Sequence, residues 1–418
     1  MSSSFETIRS SADRPCICGR THQISLDNMI LGEGVLSELP KAVESVGRFR
    51  HVTIVADKNT FRAAGQTVLS LIPAGAAVLD PENLHANEIG VEKAEALIPA
   101  DADLLIAVGS GTIHDITRYV AYRRHLPFLS VPTAASVDGF VSTVAAMTWN
   151  GVKRTLTAVG PTLMVADSLI MKDAPKALTA AGVGDLLGKY TALADWKAGK
   201  ILKNEYYCPE IVRLEEEALE NVVRNIDQIA ACDAKGIELL QYGLVLSGLA
   251  MQMAGNSRPA SGAEHHFSHL IEMHVLNPEN QAFHGEKVGV GTGYVLDEYH
   301  RLADLAEEEL FFDPALYADE AEIRRVFGPL SGEILKENEK NPLDGLNQDL
   351  LRSGWPKIRE LIRTLPTGDQ VRNLLTIVSG STTLSDLSLP DGLLPPLLRY
   401  SPLVRNRLTL MRIRNHLR

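Results

Sequence analysis

The sequence predicts an α/β fold with a parallel sheet in the first part of the chain and an all-α fold in the second. Short runs of aliphatic and β-branched residues alternate with helical stretches up to about residue 136, which is the pattern of parallel strands covered by helices. Long amphipathic stretches dominate from about residue 175 onward. A chain of 418 residues is long enough for two substantial cores. We therefore expect two domains, residues 1–175 and residues 176–418.

The periodicity of apolar residues places the individual elements. Strands are predicted at 51–57, 76–80, 102–112 and 126–136. Helices between these strands are predicted at 59–72, 87–99 and 113–125. In the second domain we expect helices at 184–200, 209–231, 233–254 and 262–276, and an acidic helix near 302–310.

The composition is that of a globular protein, with 45% hydrophobic and 22% charged residues. The net charge of -11 argues against non-specific binding of nucleic acid. No apolar run approaches the roughly 20 residues of a membrane span, and the N-terminal stretch lacks the apolar segment of a signal peptide. The four cysteines suggest thiols in a reducing compartment. We therefore expect a cytoplasmic protein.

A glycine turn follows the strand predicted at 102–112. Gly109, Ser110, Gly111 and Thr112 precede a helix, where small residues let backbone N–H groups approach a pyrophosphate. A purely structural turn between strand and helix has the same composition. The next strand ends in small and hydroxyl residues, as a loop lining a nucleotide does. Asp57 ends the strand at 51–57, where a carboxylate either accepts hydrogen bonds from a ribose or caps a helix.

Three histidines and an acidic residue predict a metal site. His265 and His269 are four residues apart, so they share one face of a helix. Together with Asp185 and His284, they predict one divalent cation held by Asp185, His265 and His284, with His269 beside it. The glycine after His284 is expected to let the backbone turn toward the site. Imidazole and carboxylate ligands suit zinc, nickel or iron. His266 leaves open which histidine pairs with His269, because it lies three residues before His269 and also shares a helix face with it.

Three further segments carry alternatives. Asp138 lies next to a glycine in a hydroxyl-rich loop, where it either forms a turn or binds substrate hydroxyls. Cys16 and Cys18, with His22 following, suggest a small metal clip, but no fourth ligand is evident, so a loop with two free thiols is favoured. The basic stretch 399–418 forms either a helix docked on the domain, which we favour, or a membrane-surface segment.

Several segments between residues 109 and about 292 resemble the sn-glycerol-1-phosphate dehydrogenase family, within the dehydroquinate synthase-like and iron-type alcohol dehydrogenase superfamily. These segments are GSGTIHDITRY, SVPTAASVDGFVS, GVGDLLGKYTALADWK, SRPASGAEHHFSHLIEM and HGEKVGVGT, and they occur in the family's order. The resemblance implies a nucleotide-binding first domain and a metal-binding second domain. Residues 300–418 add little to the match.

The resemblance also implies roles for single residues. Asp185, His265 and His284 resemble the metal ligands. Asp138, Asp185 and His269 resemble substrate-binding residues, with Asp185 and His269 as the catalytic groups. The implied nucleotide contacts are Asp57, Gly111, Thr112, Ile113, His114, Asp115, Thr133, Ala134, Ala135, Ser136 and Ser142. Arg258 and Lys189 are weaker candidates to bind a substrate phosphate.

The activity implied by the resemblance is the interconversion of dihydroxyacetone phosphate, a phosphorylated triose, and sn-glycerol 1-phosphate. The implied cofactors are NAD(H) or NADP(H) and one divalent metal, Zn²⁺ or Ni²⁺. The family further implies a homodimer or larger homo-oligomer and a place in phospholipid biosynthesis. The alternatives are a glycerol or polyol dehydrogenase, a lyase or cyclase of the dehydroquinate synthase type, and a non-catalytic binding protein with the same fold.

Overall fold

The computed structural model describes residues 5–277, 280–313 and 319–417. Eight strands lie within this part of the chain: β1 Asn28–Gly32, β2 Val52–Asp57, β3 Gly75–Leu79, β4 Leu104–Gly109, β5 Phe128–Pro132, β6 Val144–Trp149, β7 Val152–Thr157 and β8 Leu163–Asp167.

The described residues also form twenty α-helices. They are α1 Phe5–Ser11, α2 Leu39–Val46, α3 Lys58–Thr60, α4 Gln66–Leu71, α5 Glu88–Leu97, α6 Gly111–Arg124, α7 Ser168–Met171, α8 Lys176–Leu187, α9 Lys189–Lys203, α10 Pro209–Arg224, α11 Ile226–Ala230, α12 Ala234–Ala254, α13 Ala263–Glu272, α14 His284–Asp304, α15 Glu320–Phe327, α16 Ser331–Glu337, α17 Gln348–Arg363, α18 Gly368–Ile377, α19 Leu394–Tyr400 and α20 Leu410–Arg414.

Six of the strands form one parallel sheet in the order β1-β8-β5-β4-β2-β3. The inner strands β4, β5 and β8 are buried along their whole length, because helices cover both faces of a parallel sheet. Separate apolar cores lie on its two faces, one around Ile54 and Val108 and the other around Val55 and Ala107. The predicted α/β fold with a parallel sheet is therefore confirmed, and so is the helical second part.

The sheet is larger than the sequence analysis predicted. Strands β1 and β8 were not predicted, and they pair with each other at one end of the sheet. The antiparallel hairpin of β6 and β7 was also missed. These strands were missed because they lie outside the regular strand–helix alternation: β6 and β7 follow each other directly, and β1 pairs with a strand more than 130 residues away.

The helical part also differs in detail from the prediction. The stretch 184–200 is divided between α8 and α9 at Gly188. The acidic segment 302–310 holds only the end of α14 and a short 3-10 turn at Glu307–Glu309. The 21-residue helix α14 was not predicted, because its glycines resemble a turn. The basic C-terminal stretch forms α20, whose residues Leu410, Met411 and Ile413 are buried, as the docked-helix alternative requires.

The N-terminal segment packs on the helical part of the chain. Phe5 and Ile8 of α1, with Ile24 and Leu26 after it, belong to the apolar core formed by α8, α10 and α12. The domain division at residue 175 stays a prediction, and these contacts show that the first residues cross it.

One helix among the described residues, α12, is long and apolar enough to cross a membrane, although the sequence analysis expected none. Its most apolar window is 83% buried inside the protein. The apolar side chains of α12 are therefore used in the core against α10 and α8.

Candidate functional site

The nucleotide-binding candidates gather at the carboxyl edge of the parallel sheet. Register pairs Gly109 at the end of β4 with Pro132 at the end of β5, and Thr133 N donates to Gly109 O at 3.0 Å. Strand β2, which ends in Asp57, lies on the other side of β4. In the sheet, β3 lies on one side of β2 and β4 lies on the other, so the chain reverses its direction across the sheet after β3. Ligands of open parallel sheets bind at such a switch point.

Helix α6 begins directly after this edge. Its first N–H groups have no partner inside the helix, so they are free to meet a pyrophosphate. A Cβ at Gly109 would lie 2.7 Å from the Ile113 Cβ, and one at Gly111 would lie 3.1 Å from Val137. The glycines therefore hold the helix close to the strand and keep the turn open.

Two of the implied nucleotide contacts are interior side chains. Ile113 is buried in the core. His114 is also buried, with Nε2 at 2.8 Å from Ser130 Oγ and Nδ1 at 3.0 Å from Ser110 O. Burial lowers the pKa of His114 to about 3, so the ring is neutral. Any contact of these two residues with a nucleotide must therefore come from their backbone. Asp115 is less buried, and burial raises its pKa despite nearby Arg118.

Asp57 is a helix cap in this structure. Its Oδ1 accepts from Asn59 N at 2.7 Å and from Thr60 N at 3.0 Å, while the Thr60 hydroxyl accepts from Asp57 N. Asp57 therefore caps the helix, which is one of the two roles that the sequence suggested. Among the described residues no donor meets Oδ2, so a ribose contact through that oxygen is compatible with the cap and stays a prediction.

The loop after β5 connects the sheet edge with the helical part. Thr133, Ala134, Ala135, Ser136 and Ser142 are all buried here. A Cβ at Gly182 of α8 would lie 2.2 Å from Ala135 O. At Asp138, just beyond, the backbone N–H donates to Asp185 Oδ2 at 3.0 Å. The close packing of α8 on this loop therefore brings the predicted nucleotide and metal residues together.

The structure places Asp185, His265 and His284 around one point. One ligand atom from each residue lies within 4.8 Å of the other two. His265 Nε2 is 3.6 Å from Asp185 Oδ1, and the rings of His265 and His284 are 5.2 Å apart between centroids. Two imidazole nitrogens and a carboxylate oxygen fit a divalent cation with an open coordination position.

Helix contacts explain how residues so distant in sequence meet. Asp185 comes from α8, His265 from α13 and His284 from the first turn of α14. Gly285 lies inside α14, so it does not turn the backbone as predicted. It lets the helices approach instead, because a Cβ there would lie 1.9 Å from Ala181 O of α8.

Two glutamates that the sequence analysis missed orient the histidines. His265 Nδ1 donates to Glu264 Oε1 at 2.7 Å, and His284 Nδ1 donates to Glu272 Oε1 at 2.7 Å. Each contact leaves Nε2 as the ligand atom, which is the arrangement typical of metal-binding histidines. Both glutamates lie in the same short run as His265, so their spacing was available as a signal.

The charges around the site favour a cation. Burial alone would raise the pKa of Asp185, but the Lys189 ammonium and His265 hold it well below its usual range. Burial lowers the pKa of His265, but its hydrogen bonds to Asp185 and Glu264 outweigh that effect and raise it to about 9. The buried carboxylates therefore favour a positive charge at this point.

His269 lies beside the three ligands, as predicted. Its ring centroid is 6.0 Å from that of His265 and 5.9 Å from that of His284. Its Nδ1 is buried with no hydrogen-bond partner among the described residues. Burial, with the charge of Arg405, holds the pKa of His269 well below its usual value. A neutral imidazole beside the cation site is suited to hydrogen-bond a substrate hydroxyl.

His269, Glu272 and His284 form a second set of ligand atoms within 4.8 Å. Glu272 is already engaged, however, by His284 and by an ion pair of 3.0 Å with Lys153. The Asp185 set is therefore the better metal site. His266 is fully buried and does not belong to either set.

A buried ion network connects Asp185 with Asp138. Lys189 Nζ is 3.0 Å from Asp185 Oδ1 and 2.7 Å from Asp138 Oδ2. Ser247 Oγ donates to Asp138 Oδ2 at 2.9 Å. The network fixes the position of Asp185 and leaves fewer oxygens of Asp138 for a substrate than the sequence analysis assumed.

Neither cation suggested for a substrate phosphate is available for that role. Lys189 is committed to the two aspartates described above. Arg258 Nε donates to Glu205 Oε1 at 2.9 Å, and its Nη2 donates to Asp195 O and to Leu408 O. These contacts argue against both suggestions, because Lys189 and Arg258 already form ion pairs within the protein.

Comparison with known proteins supports the fold and shows the family of the chain. Residues 30–175 match a family described as iron-containing alcohol dehydrogenase. The chain is 36% identical over 428 residues to a glycerol-1-phosphate dehydrogenase (NAD(P)+) of Geobacillus stearothermophilus, covering 100% of this chain and 99% of the relative. It is 32% identical over 406 residues to the protein of the same name from Bacillus subtilis, covering 95% and 93% of the two chains.

Solved structures share the architecture at lower sequence identity. An iron-containing alcohol dehydrogenase from Corynebacterium glutamicum superposes with a TM-score of 0.64 at 17% identity, covering 94% of this chain and 95% of the other. A 1,3-propanediol oxidoreductase gives a TM-score of 0.62 at 19% identity, covering 94% and 96%. These two similarities concern the fold.

Proposed function

Because the chain belongs to the glycerol-1-phosphate dehydrogenase family, we propose that it interconverts dihydroxyacetone phosphate and sn-glycerol 1-phosphate with NADH or NADPH. The observation that carries the proposal is the convergence of Asp185, His265 and His284 beside the carboxyl edge of the sheet. In this proposal, the cation and the dinucleotide bind next to each other.

The cofactors supply the chemistry that side chains lack. A divalent metal, Zn²⁺ or Ni²⁺, held by Asp185, His265 and His284 would supply Lewis-acid chemistry at the carbonyl of the triose, and a bound nicotinamide would supply the hydride. The protein's task is to hold both partners in line and to exclude water. Asp185 and the two histidines hold the metal, while the N-terminus of α6 and the loop after β5 receive the nucleotide.

His269 and Asp138 are the proposed substrate contacts. Neutral His269 orients a hydroxyl through its imidazole ring, and in the same position it passes a proton to or from the substrate oxygen. Asp138, held by Lys189, accepts from a second hydroxyl. These roles agree with the burial of both side chains beside the cation site.

Arg405 is the proposed partner of the substrate phosphate. Its charge is one of the causes of the low pKa of His269, and its Nη2 donates to Thr155 Oγ1 of the hairpin at 2.8 Å. A planar guanidinium suits a phosphate because it offers paired donors. A cytoplasmic location and a homo-oligomeric state complete the proposal.

The decisive assay uses purified protein loaded with each metal in turn. We expect stoichiometric oxidation of NADH or NADPH by dihydroxyacetone phosphate, with sn-glycerol 1-phosphate as the chiral product. His284→Ala is expected to abolish turnover and to lose the bound metal, whereas exposed His51→Ala retains both. Equal rates with free dihydroxyacetone would indicate a polyol dehydrogenase, and turnover without net nucleotide oxidation would indicate a lyase or cyclase.

The nucleotide contact of Asp57 is tested by a variant that keeps the helix cap. Asparagine caps helices as well as aspartate does, so Asp57→Asn removes only the negative charge. We expect KM for NADH to rise relative to KM for NADPH, because a carboxylate favours the unmodified ribose. KM for the triose is expected to stay unchanged. If both nucleotides respond equally or not at all, Asp57 is a cap only.

A further inference from the structure

We propose that Cys16, Cys18, His22 and Cys208 form a second metal site, a structural Zn²⁺ site separate from the catalytic cation. One ligand atom from each of the four residues lies within 4.8 Å of the other three. The sequence suggested only the first three, because Cys208 lies far along the chain. The fold brings it to them at the start of α10.

The contacts within this cluster have the dimensions of a tetrahedral zinc site. Cys16 Sγ is 3.6 Å from Cys208 Sγ, and His22 Nε2 is 3.4 Å from both Cys18 Sγ and Cys208 Sγ. A tetrahedral zinc with bonds of about 2.3 Å to sulfur and about 2.0 Å to nitrogen separates its ligand atoms by about 3.5–3.8 Å. Three cysteines and one histidine are a common set for structural zinc.

The surroundings already orient His22 as a ligand. Its Nδ1 lies 2.7 Å from Met253 O at the end of α12. A carbonyl can only accept, so Nδ1 carries the proton and Nε2 presents its lone pair to the sulfur atoms. Metal-binding histidines usually have such a partner on the second nitrogen. Burial of His22 and Cys208 keeps water from this side of the cluster.

A tight turn presents the two N-terminal thiols. Gly19 N donates to Cys16 O at 2.9 Å, and Cys16 N donates to Arg20 O at 2.9 Å. Gly19 has a φ of 84°, in the left-handed region that glycine favours. The turn thus places Cys16 and Cys18 on one side, facing α10 and α12.

A disulfide explains the cluster less well. All four cysteines of the chain are free thiols. A bond between Cys16 and Cys208 would need their sulfur atoms to close from 3.6 Å to about 2.05 Å. It would also leave Cys18 and His22 without a function. A cation uses all four groups and ties the N-terminal segment to two helices of the other part of the chain.

The two metal sites differ in their donor atoms, which makes the proposal testable independently of the enzymatic activity. The catalytic set contains only nitrogen and oxygen ligands, whereas the second set contains three sulfur atoms. In full-length protein loaded with Co²⁺, thiolate-to-cobalt charge-transfer absorption therefore reports the second site alone. We expect this absorption in the wild-type protein, together with two bound metal ions per chain.

Cys18→Ser and Cys232→Ser form a matched pair of variants. Cys232 lies outside the cluster, so its replacement is expected to keep two zinc ions per chain. Cys18→Ser is expected to lose one zinc ion and the charge-transfer absorption and to unfold at a lower temperature. If Cys18→Ser does not fold, the cobalt spectrum of the wild-type protein still shows whether the thiolates bind a metal. One metal per chain without charge-transfer absorption, or a Cys16–Cys208 disulfide in cobalt-loaded protein, would overturn the proposal.

Discussion

At the scale of single residues, the chemistry of the site depends on side chains that touch the metal ligands. The three candidate ligands were predictable from their residue types, because imidazole and carboxylate groups suit a divalent cation. Their orienting partners, Glu264 and Glu272, were not predicted, since a glutamate on an amphipathic helix usually faces solvent. Only the structure shows that both are buried against histidine Nδ1 atoms.

Glu272→Gln tests this orienting role. An amide keeps the shape but removes the charge that favours metal-bound His284, so metal affinity is expected to fall about 10–100-fold. Competition with a chelator of known affinity measures the change. Glu333→Gln, which alters a half-exposed ion pair with Arg154, is the control and is expected to bind metal normally. Unchanged affinity in Glu272→Gln would remove the carboxylate from the metal site.

Glu215 predicts a pH dependence of stability. Burial raises its pKa from 4.5 to about 8, and geometry agrees: Ser247 Oγ lies 2.9 Å from Asp138 and 3.1 Å from Glu215. One hydroxyl proton cannot serve both, so a protonated Glu215 donates to Ser247. Between pH 4.5 and about pH 8, the folded chain therefore binds one proton more than the unfolded chain does. The stability that this proton contributes is fully present below pH 4.5 and is lost as the pH rises through about 8.

Glu215→Gln removes that titration while keeping a donor. In urea unfolding at about pH 6 and about pH 9, the wild-type protein is expected to lose more stability than the variant, by up to about 1.4 kcal/mol per pH unit. Equal losses in the two proteins would mean that Glu215 is ionised throughout.

At the scale of elements, glycine was the main source of error. The sequence analysis interpreted Gly285 as a turn, but it marks the contact between α8 and α14. Composition alone does not distinguish a glycine in a turn from a glycine at a close helix contact, because both positions require the absence of a Cβ. Strands β2, β4 and β5 were predictable because each is followed by a helical stretch, in a regular strand–helix alternation. Strands β1 and β8 stand outside that alternation and became recognisable only through their pairing.

Gly285→Ala tests the helix contact. The added methyl group would lie 1.9 Å from a backbone oxygen, so α14 must shift and carry His284 with it. We expect a loss of roughly 1–3 kcal/mol in the free energy of unfolding, together with weaker metal binding. Gly332→Ala is the matched control: it is helical with no atom within 4 Å of the new Cβ, and alanine there is expected to be neutral or stabilising. Similar behaviour of both variants would contradict the packing argument.

At the scale of the whole molecule, segments that are distant in sequence meet beside the candidate site. Hairpin residue Lys153 pairs with Glu272 of α13, and Arg405 near the C-terminus contacts Thr155 of the same hairpin. The resemblance to the family ended near residue 292, so nothing in the sequence pointed to Arg405. Long-range contacts of this kind have no periodic signature.

Arg405→Gln tests the proposed phosphate contact. Loss of a charge-assisted hydrogen bond costs about 1.5–3 kcal/mol, so KM for dihydroxyacetone phosphate is expected to rise tenfold or more. KM for the nucleotide is expected to stay within roughly twofold of the wild-type value. Arg399→Gln, which alters an ion pair with Glu322, serves as the control. A parallel rise in both KM values would mean that Arg405 only supports the fold.

The placement of the N-terminal segment has a consequence for how the protein is made. Strand β1 pairs with β8, and residues before β1 pack against α8, α10 and α12. During synthesis, the residues before β1 must therefore wait until α8, α10 and α12 have emerged from the ribosome. Such distant pairing slows folding, and the apolar side chains of α1 remain uncovered meanwhile. Premature termination anywhere before α12 would leave them exposed to aggregation or to chaperones.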